Sequence, residues 1–261
     1  MIGFIGGGKM AEALIKVIIK QGDKDILVCD ILKDRRNYLK NSYKINTTES
    51  NKEVVTNCTT IILAVKPQDM TAALDEIANS VTEEKIFVSI AAGIKIDYFQ
   101  KKLNTKNIVR VMPNVASLEQ EGMTLISFGE LFPSQEILSI EELFMSVGKI
   151  LTINENLINA FSTISGSGPA FLALFLETLI EAGIKMGLEK DLATKAMLQT
   201  LIGTAKLLKT GMSPEQLRKM VASPGGTTEE GIKTFNEKDL KGISQSALFS
   251  ALKKADVIGS K

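Results

Sequence analysis

Ile2-Gly3-Phe4-Ile5-Gly6-Gly7-Gly8-Lys9-Met10-Ala11 decides the fold of this chain. A short apolar run stops on three glycines, and a helix-forming segment starts at once. The spacing is G-x-G-x-x-A, and each position has its own physical reason. Gly6 permits a tight turn, Gly8 lets a pyrophosphate approach the backbone, and small Ala11 allows the helix to pack closely on the strand. The helix beginning at Lys9 and Met10 turns free N–H groups and the positive end of its dipole toward that pyrophosphate. Gly6, Gly7, Gly8, Lys9, Met10 and Ala11 are therefore the expected core of a dinucleotide site.

Outward from this stretch the pattern repeats. Apolar runs at Ile26–Cys29, Ile61–Val65, Ile86–Ile90, Ile108–Met112 and Met123–Ser127 are short, β-branched and continuous, as in strands buried on both faces. The first five runs recur at the spacing a βα crossover needs. The class is α/β, with a Rossmann-type doubly wound parallel sheet; Lys149–Ile153 reads as one more edge strand. In such a sheet ligands bind at the carboxyl ends of the strands. Those ends hold Ala64-Val65-Lys66-Pro67-Gln68, Ala91-Ala92-Gly93 and Met112-Pro113-Asn114, so Ala64, Val65, Lys66, Pro67, Ala91, Ala92, Gly93 and Asn114 are expected along the cofactor crevice. Asp30 closes the second run, where a carboxylate binds the adenosine ribose hydroxyls and favours NADH over NADPH. Lys33, Arg35 and Arg36 follow, either as neutralisers of a 2′-phosphate or as an ordinary solvated helix start. NADPH thus stays open beside NADH.

After Ile153 the β-branched runs cease, and apolar residues recur at helical spacing. The expected boundary separates a cofactor-binding domain, 1–153, from an all-α domain, 154–261. The most apolar segment, Pro169–Gly187, carries Glu177, Glu181 and Lys185 on one face, which reads as a core or subunit-interface helix and not a membrane span. Ser213-Pro214-Glu215-Gln216 predicts a capping box with proline at the first helical position. Thr227-Thr228-Glu229-Glu230 suggests a second, directly after Ser223-Pro224-Gly225-Gly226.

Composition narrows the chemistry. Among 261 residues there are 31 Lys+Arg and 30 Asp+Glu, a balance without the basic excess of a nucleic-acid or anionic-membrane binder. There is no histidine, which excludes a Ser-His triad, a Cys-His dyad and imidazole acid–base steps. Two cysteines, Cys29 and Cys58, build neither a disulfide framework nor a four-cysteine metal site, so no metal is expected. These cysteines and an opening without a leader-like pattern predict a cytoplasmic protein.

Four motifs in order complete the reading: the glycine-rich opening, Ala64-Val65-Lys66-Pro67, Ser165-Gly166-Ser167-Gly168-Pro169-Ala170 and Ser223-Pro224-Gly225-Gly226-Thr227-Thr228. With them the chain resembles pyrroline-5-carboxylate reductase over its length. The resemblance implies reduction of the cyclic imine 1-pyrroline-5-carboxylate to L-proline by NAD(P)H. It also implies a homodimer with interlocked helical domains, and a higher ring such as a decamer. Ser223, Gly225, Gly226, Thr227 and Thr228 would form the substrate-carboxylate pocket, with Thr228 near the imine nitrogen as the catalytic hydroxyl. The chemistry suits this, since a glycine-rich turn entering a helix offers N–H groups and hydroxyls to an anion. By the same resemblance Glu155 aligns with an acidic position near the substrate, its other reading being a helix-start charge. Asn51 matches a position near the adenosine, and Ser165–Pro169 shapes the pocket.

Two departures stand out. Asp30 replaces the neutral residue of NADPH-preferring members, and Met220 stands where some relatives carry a cofactor-contacting Asn. A β-hydroxyacid dehydrogenase would need a lysine early in the helix after Gly168, and none precedes Lys185. A nucleotide sensor would not need the second anion site.

Overall fold

The computed structural model describes residues 1–22 and 25–259. Strand and helix alternate first: β1 (Ile2–Ile5), α1 (Lys9–Lys20), β2 (Ile26–Cys29), α2 (Lys33–Tyr43), β3 (Asn46–Thr48), α3 (Asn51–Asn57), β4 (Thr60–Leu63), α4 (Pro67–Ile77), β5 (Ile86–Ser89), α5 (Ile96–Leu103) and β6 (Ile108–Met112). A 3-10 turn at Val115–Glu119 leads to β7 (Gly122–Phe128), α6 (Ser134–Met145) and β8 (Gly148–Thr152). The rest is helical: a 3-10 turn at Glu155–Leu157, then α7 (Ile158–Ser165), α8 (Gly168–Lys185), α9 (Lys190–Lys209), α10 (Pro214–Val221), α11 (Thr227–Glu237) and α12 (Leu240–Gly259). Of the expected second domain, Ser260 and Lys261 lie outside the described residues.

The strands form one eight-stranded sheet in the order β3-β2-β1-β4-β5-β6-β7-β8. The chain winds outward from β1 to β3, then returns to β1's other side with β4, so the ends of β1 and β4 meet at the point of reversal. Two features differ from the sequence reading. β3 is Asn-Thr-Thr, a polar edge strand with no apolar run to announce it, and the run at Ile61 is therefore the fourth strand and not the third. β7 runs antiparallel to β6, because the connection between them holds only a 3-10 turn, too short for a helical crossover. α6 then restores a parallel β7–β8 pair.

Continuous apolar runs follow from the sheet's two covered faces. Phe4, Val28, Ile62, Val88 and Val109 point into one core layer with Leu14, Ile15 and Ile18 of α1 and Phe144 of α6. Their neighbours Ile5, Cys29, Leu63, Phe87 and Ile108 point into the other, with Val54 of α3, Leu74 of α4 and Phe99 of α5. Alternate residues of one strand thus serve opposite layers.

The chain divides into two compact units, residues 1–167 with 251–261, and residues 168–250. The first therefore extends beyond the boundary expected at 153/154. Residues 155–165 belong to it because Ile158 is fully buried, Thr163 nearly so, and α7 packs on β7. The second unit, by contrast, lacks an interior: among its residues only Gly183 and Ala193 are buried. These two meet where α8 and α9 pack, and a Cβ on Gly183 would stand 3.5 Å from that of Ala193.

Cys29 and Cys58 are free and buried in the second core layer, and burial pushes both thiols up to about 11 from an ordinary 9.0. A thiol whose folded pKa is raised supports the folded state below its unfolded value and loses that support as pH rises to the folded one. Stability should therefore decline between pH 9.0 and about 11. A disulfide reagent at pH 8 should modify neither thiol in the native protein and both in denaturant; rapid native labelling would contradict this burial.

Candidate cofactor and substrate sites

At the point of reversal, Gly6 takes φ +97°, and a Cβ there would lie 2.9 Å from the backbone of Ala64. Glycine is required by both the conformation and the contact. The Gly6 N–H donates to the Cys29 carbonyl at 2.8 Å, and the Ala64 N–H to the Ile5 carbonyl at 2.8 Å, which joins β1, β2 and β4 at one corner. Gly7 is closed in by Leu39 and Val28, and its N–H donates to Asp30 Oδ2 at 2.8 Å. Gly8 differs. As N-cap of α1 it has no side-chain cap, and a Cβ built on it meets nothing within 4 Å. The loop is packed from below at Gly6 and Gly7 and open at Gly8, with the first-turn N–H groups of Lys9 and Met10 beside it. That shape fits a pyrophosphate. Ala11 is fully buried where α1 meets the sheet.

Asp30 is held at both oxygens, accepting from the N–H groups of Gly7 and, at 2.9 Å, of Leu32. The arginines that follow are also engaged. Arg35 donates to the Gly7 carbonyl and to Glu12, and Arg36 to the carbonyls of Asp30 and Ile31 and to Glu49. Both guanidiniums thus have partners within the chain. Lys66 caps α4 through extended backbone, and Pro67 is its first residue, so this motif is a rigid turn beside Gly6 and Val65. Ala91 is buried, its N–H directed to Ser89 Oγ, and Gly93 takes φ +81° in the turn after β5. Asn114 is buried with both ends of its amide used, Nδ2 donating to the Ser165 carbonyl and Oδ1 accepting from Met123 N–H. It fixes the end of α7 to the crevice edge. Asn51 begins α3 and donates to Glu76 at 2.8 Å.

Glu155 is engaged with two elements of the first unit. Its Oε1 accepts from Ile96 N–H at 2.8 Å and from Arg110 at 3.2 Å, while Arg110 also reaches Asn159 Oδ1. Asn159 in turn donates to Asp256 of α12. Arg110 is 3% exposed, on the central strand β6. Burial lowers its pKa, and the Glu155 carboxylate opposes that loss. The carboxylate thus serves as counter-ion to a buried guanidinium and as cap of α5. No sequence motif marked Arg110; an arginine inside an otherwise apolar run was the available signal.

The second expected site lies in the other compact unit. Gly225 takes φ +70°, the Gly226 N–H donates to the Ser223 carbonyl at 3.0 Å, and a Cβ on Gly226 would lie 2.9 Å from Ser223 Oγ. The helix that follows starts one residue earlier than the sequence suggests. Gly226 and not Thr227 is the N-cap of α11, because glycine accommodates the close approach of Ser223, and no side chain caps it. Glu229 instead reaches back to Gly225 N–H at 2.7 Å. At α10 the expected capping box of Ser213 and Gln216 is complete. The first-turn N–H groups of Thr227 and Thr228 are left beside two exposed hydroxyls, and Met220 is exposed. Gly166 ends α7 with its N–H on the Ser162 carbonyl, and Gly168 begins α8. Among the described residues no group of three or more His, Cys, Asp or Glu is placed to hold a metal ion.

Replacing Glu155 by Ala strands a buried guanidinium, which costs about 2 kcal/mol. Glu155→Ala should therefore lower the urea midpoint, and Glu155→Asp should recover little, since its shorter chain cannot reach both partners. Unchanged midpoints would remove the clamp.

Among the described residues one stretch, 155–185, which holds α7 and α8, is long and apolar enough by composition to cross a membrane. Residues 155–258 match the family described as pyrroline-5-carboxylate reductase dimerisation. Residues 1–93 match the coenzyme F420-dependent NADP oxidoreductase family. The pyrroline-5-carboxylate reductase of Synechocystis is 33% identical, covering 100% of this chain and 98% of its own. That of Methanosarcina acetivorans is 34% identical with the same coverage. The solved pyrroline-5-carboxylate reductase of Coxiella burnetii superposes with TM-score 0.91 at 33% identity, covering 98% of this chain and 97% of its own. The Plasmodium falciparum pyrroline carboxylate reductase, solved with NADP bound, gives 0.89 at 30% identity over 99% and 97%. With its glycine loop at the point of sheet reversal and its relatives matched from end to end, the chain belongs to the pyrroline-5-carboxylate reductase family.

Proposed function

We propose that the chain divides its reaction between a cofactor-holding loop in the first unit and a carboxylate-holding turn in the second. The chain is an oxidoreductase that reduces 1-pyrroline-5-carboxylate to L-proline, the last step of proline biosynthesis. In that reaction a hydride adds to the carbon of the C=N bond, which becomes single, and the nitrogen takes one proton from solvent water. The bound nicotinamide dinucleotide supplies the hydride. Gly6, Gly7, Gly8, Lys9, Met10 and Ala11 would hold its pyrophosphate, and Asp30 its adenosine ribose. Val65, Lys66, Pro67, Ala91, Ala92, Gly93 and Asn114 would line the rest of the crevice. The observation that carries the cofactor assignment is the open space at Gly8, beside a loop packed tightly at Gly6 and Gly7.

For the substrate, the uncapped start of α11 offers Thr227 and Thr228 N–H groups to the carboxylate, with Ser223 beside them. Thr228 is the hydroxyl assigned to the imine nitrogen. No strong acid or base is required, because orientation of the imine against the hydride donor carries the reaction. The contacts of Glu155 with Ile96 and Arg110 favour a role in positioning α5 and β6. Asn51 is a weaker cofactor candidate, its amide being engaged with Glu76. The reading favours NADH, since Asp30 repels a 2′-phosphate. It also takes the exposed helices of the second unit as the surface of an interlocked homodimer able to build a larger ring, in a reducing cytoplasm. The missing interior of that unit supports association.

Steady-state assays with 1-pyrroline-5-carboxylate should show proline formation with both cofactors, faster at low concentration with NADH. Thr228→Ala should lower kcat by about 10- to 100-fold, in the range of losing one positioned group, with the Kd for NADH unchanged. Equal turnover would remove Thr228 from the mechanism. Sedimentation should show no active monomer.

A further inference from the structure

The two guanidiniums at the end of β2 are those that a 2′-phosphate would seek, and both are already neutralised. Arg35 donates through Nε to the Gly7 carbonyl at 2.5 Å and through NH2 to Glu12 Oε2 at 2.5 Å. Glu12 sits in the first turn of α1, and its other oxygen accepts from Tyr38 at 2.9 Å and Tyr43 at 2.7 Å. The pair is shielded: the side chains of Arg35 and Glu12 are 22% and 19% exposed. The Arg35 guanidinium also lies 5.1 Å over the Tyr38 ring. Arg36 meets Glu49 at 3.1 Å, but Glu49 is 81% exposed, so solvent weakens that pair. Gly7 therefore carries Asp30 on its N–H and Arg35 on its carbonyl. One residue of the phosphate loop links the group that rejects a 2′-phosphate to the group that could bind it.

We infer that cofactor selectivity in this chain is set by Glu12 together with Asp30. Glu12, seated by Tyr38 and Tyr43, occupies Arg35 and cancels its charge, so that removing Asp30 alone admits a 2′-phosphate without giving it a cation. The inference rests on the reading that Asp30 faces the adenosine ribose. Glu12 is a positioning residue for Arg35 and touches no cofactor. Its charge is in place throughout the neutral range. Burial pushes the carboxyl up, but the hydrogen bonds from Tyr43, Arg35 and Tyr38 outweigh it and hold the group below its ordinary value. Glu12→Gln keeps the shape and the tyrosine bonds, leaves Arg35 on the Gly7 carbonyl and frees its charge. Arg36, whose partner Glu49 is exposed, and Lys33, exposed at the first residue of α2, are the competing cations.

The test is calorimetric titration of NAD+ and NADP+ into the full chain and into Asp30→Ser, Glu12→Gln, the double variant, and the double variant with Arg35→Met. Asp30→Ser should weaken NAD+ and improve NADP+ by only a few-fold. Adding Glu12→Gln should improve NADP+ by about a further tenfold, the worth of one charge-assisted hydrogen bond, with NAD+ unchanged. Arg35→Met should abolish that gain. A purely structural loosening would weaken both cofactors alike, and that result overturns the inference. So does a double variant no better than Asp30→Ser, or a gain that survives Arg35→Met. If Asp30→Ser leaves NAD+ affinity unchanged, the ribose reading itself falls, and the selectivity inference with it.

Discussion

The contact between Gly6 and the backbone of Ala64 is the constraint on which the cofactor unit depends. A side chain at either the φ or the spacing of Gly6 would push β4 away from β1 just where the sheet reverses. Both strands deliver their loops to that corner. The same closeness aims Gly7 at Asp30 and leaves the start of α1 facing outward at Gly8. The site is therefore a consequence of sheet order: any chain that reverses here has strand ends with unpaired backbone groups at the crevice. What is particular to this sequence is how those groups are used, by glycines that pack below and open above.

The helical unit answers to the opposite constraint. A soluble helix normally buries one stripe, yet Phe171, Leu174, Phe175, Leu198, Leu201, Ile243 and Phe249 are exposed along α8, α9 and α12. With Gly183 and Ala193 as its buried residues, this unit has too little interior to offset the entropy of ordering its own chain. Such exposed helices suit association, and residues 155–258 match the dimerisation family. The apolar length that raises the question of a membrane is the same surface that a second subunit would cover.

Legibility followed burial. Strands covered on both faces were readable because each residue served one core layer or the other, and the glycine loop because its geometry admits few residue types. The polar edge strand Asn46–Thr48 carried no such pressure, since its pairing uses backbone groups and leaves the side chains unselected. The β7 reversal depended on the shortness of a loop and not on the strand itself. The Ser213 capping box was visible because both partners lie within four residues. Glu155, Arg110, Asn159 and Asp256 were not, because their network joins positions distant in sequence. At α11, Thr227 imitated an N-cap, and only the approach of Ser223 to Gly226 shows why the cap falls one residue earlier.

A family whose reaction needs an oriented imine and a held cofactor can dispense with histidine, and this chain does. The polar groups that a proton-transfer enzyme would place in its crevice are here spent on holding backbone. Asn114 holds the end of α7, Glu155 the start of α5, Asp30 and Arg35 the two sides of Gly7. Each holds a loop or helix end in place through a backbone group. Such bonds hold the loops in their shape, and a loop already held loses less entropy on binding.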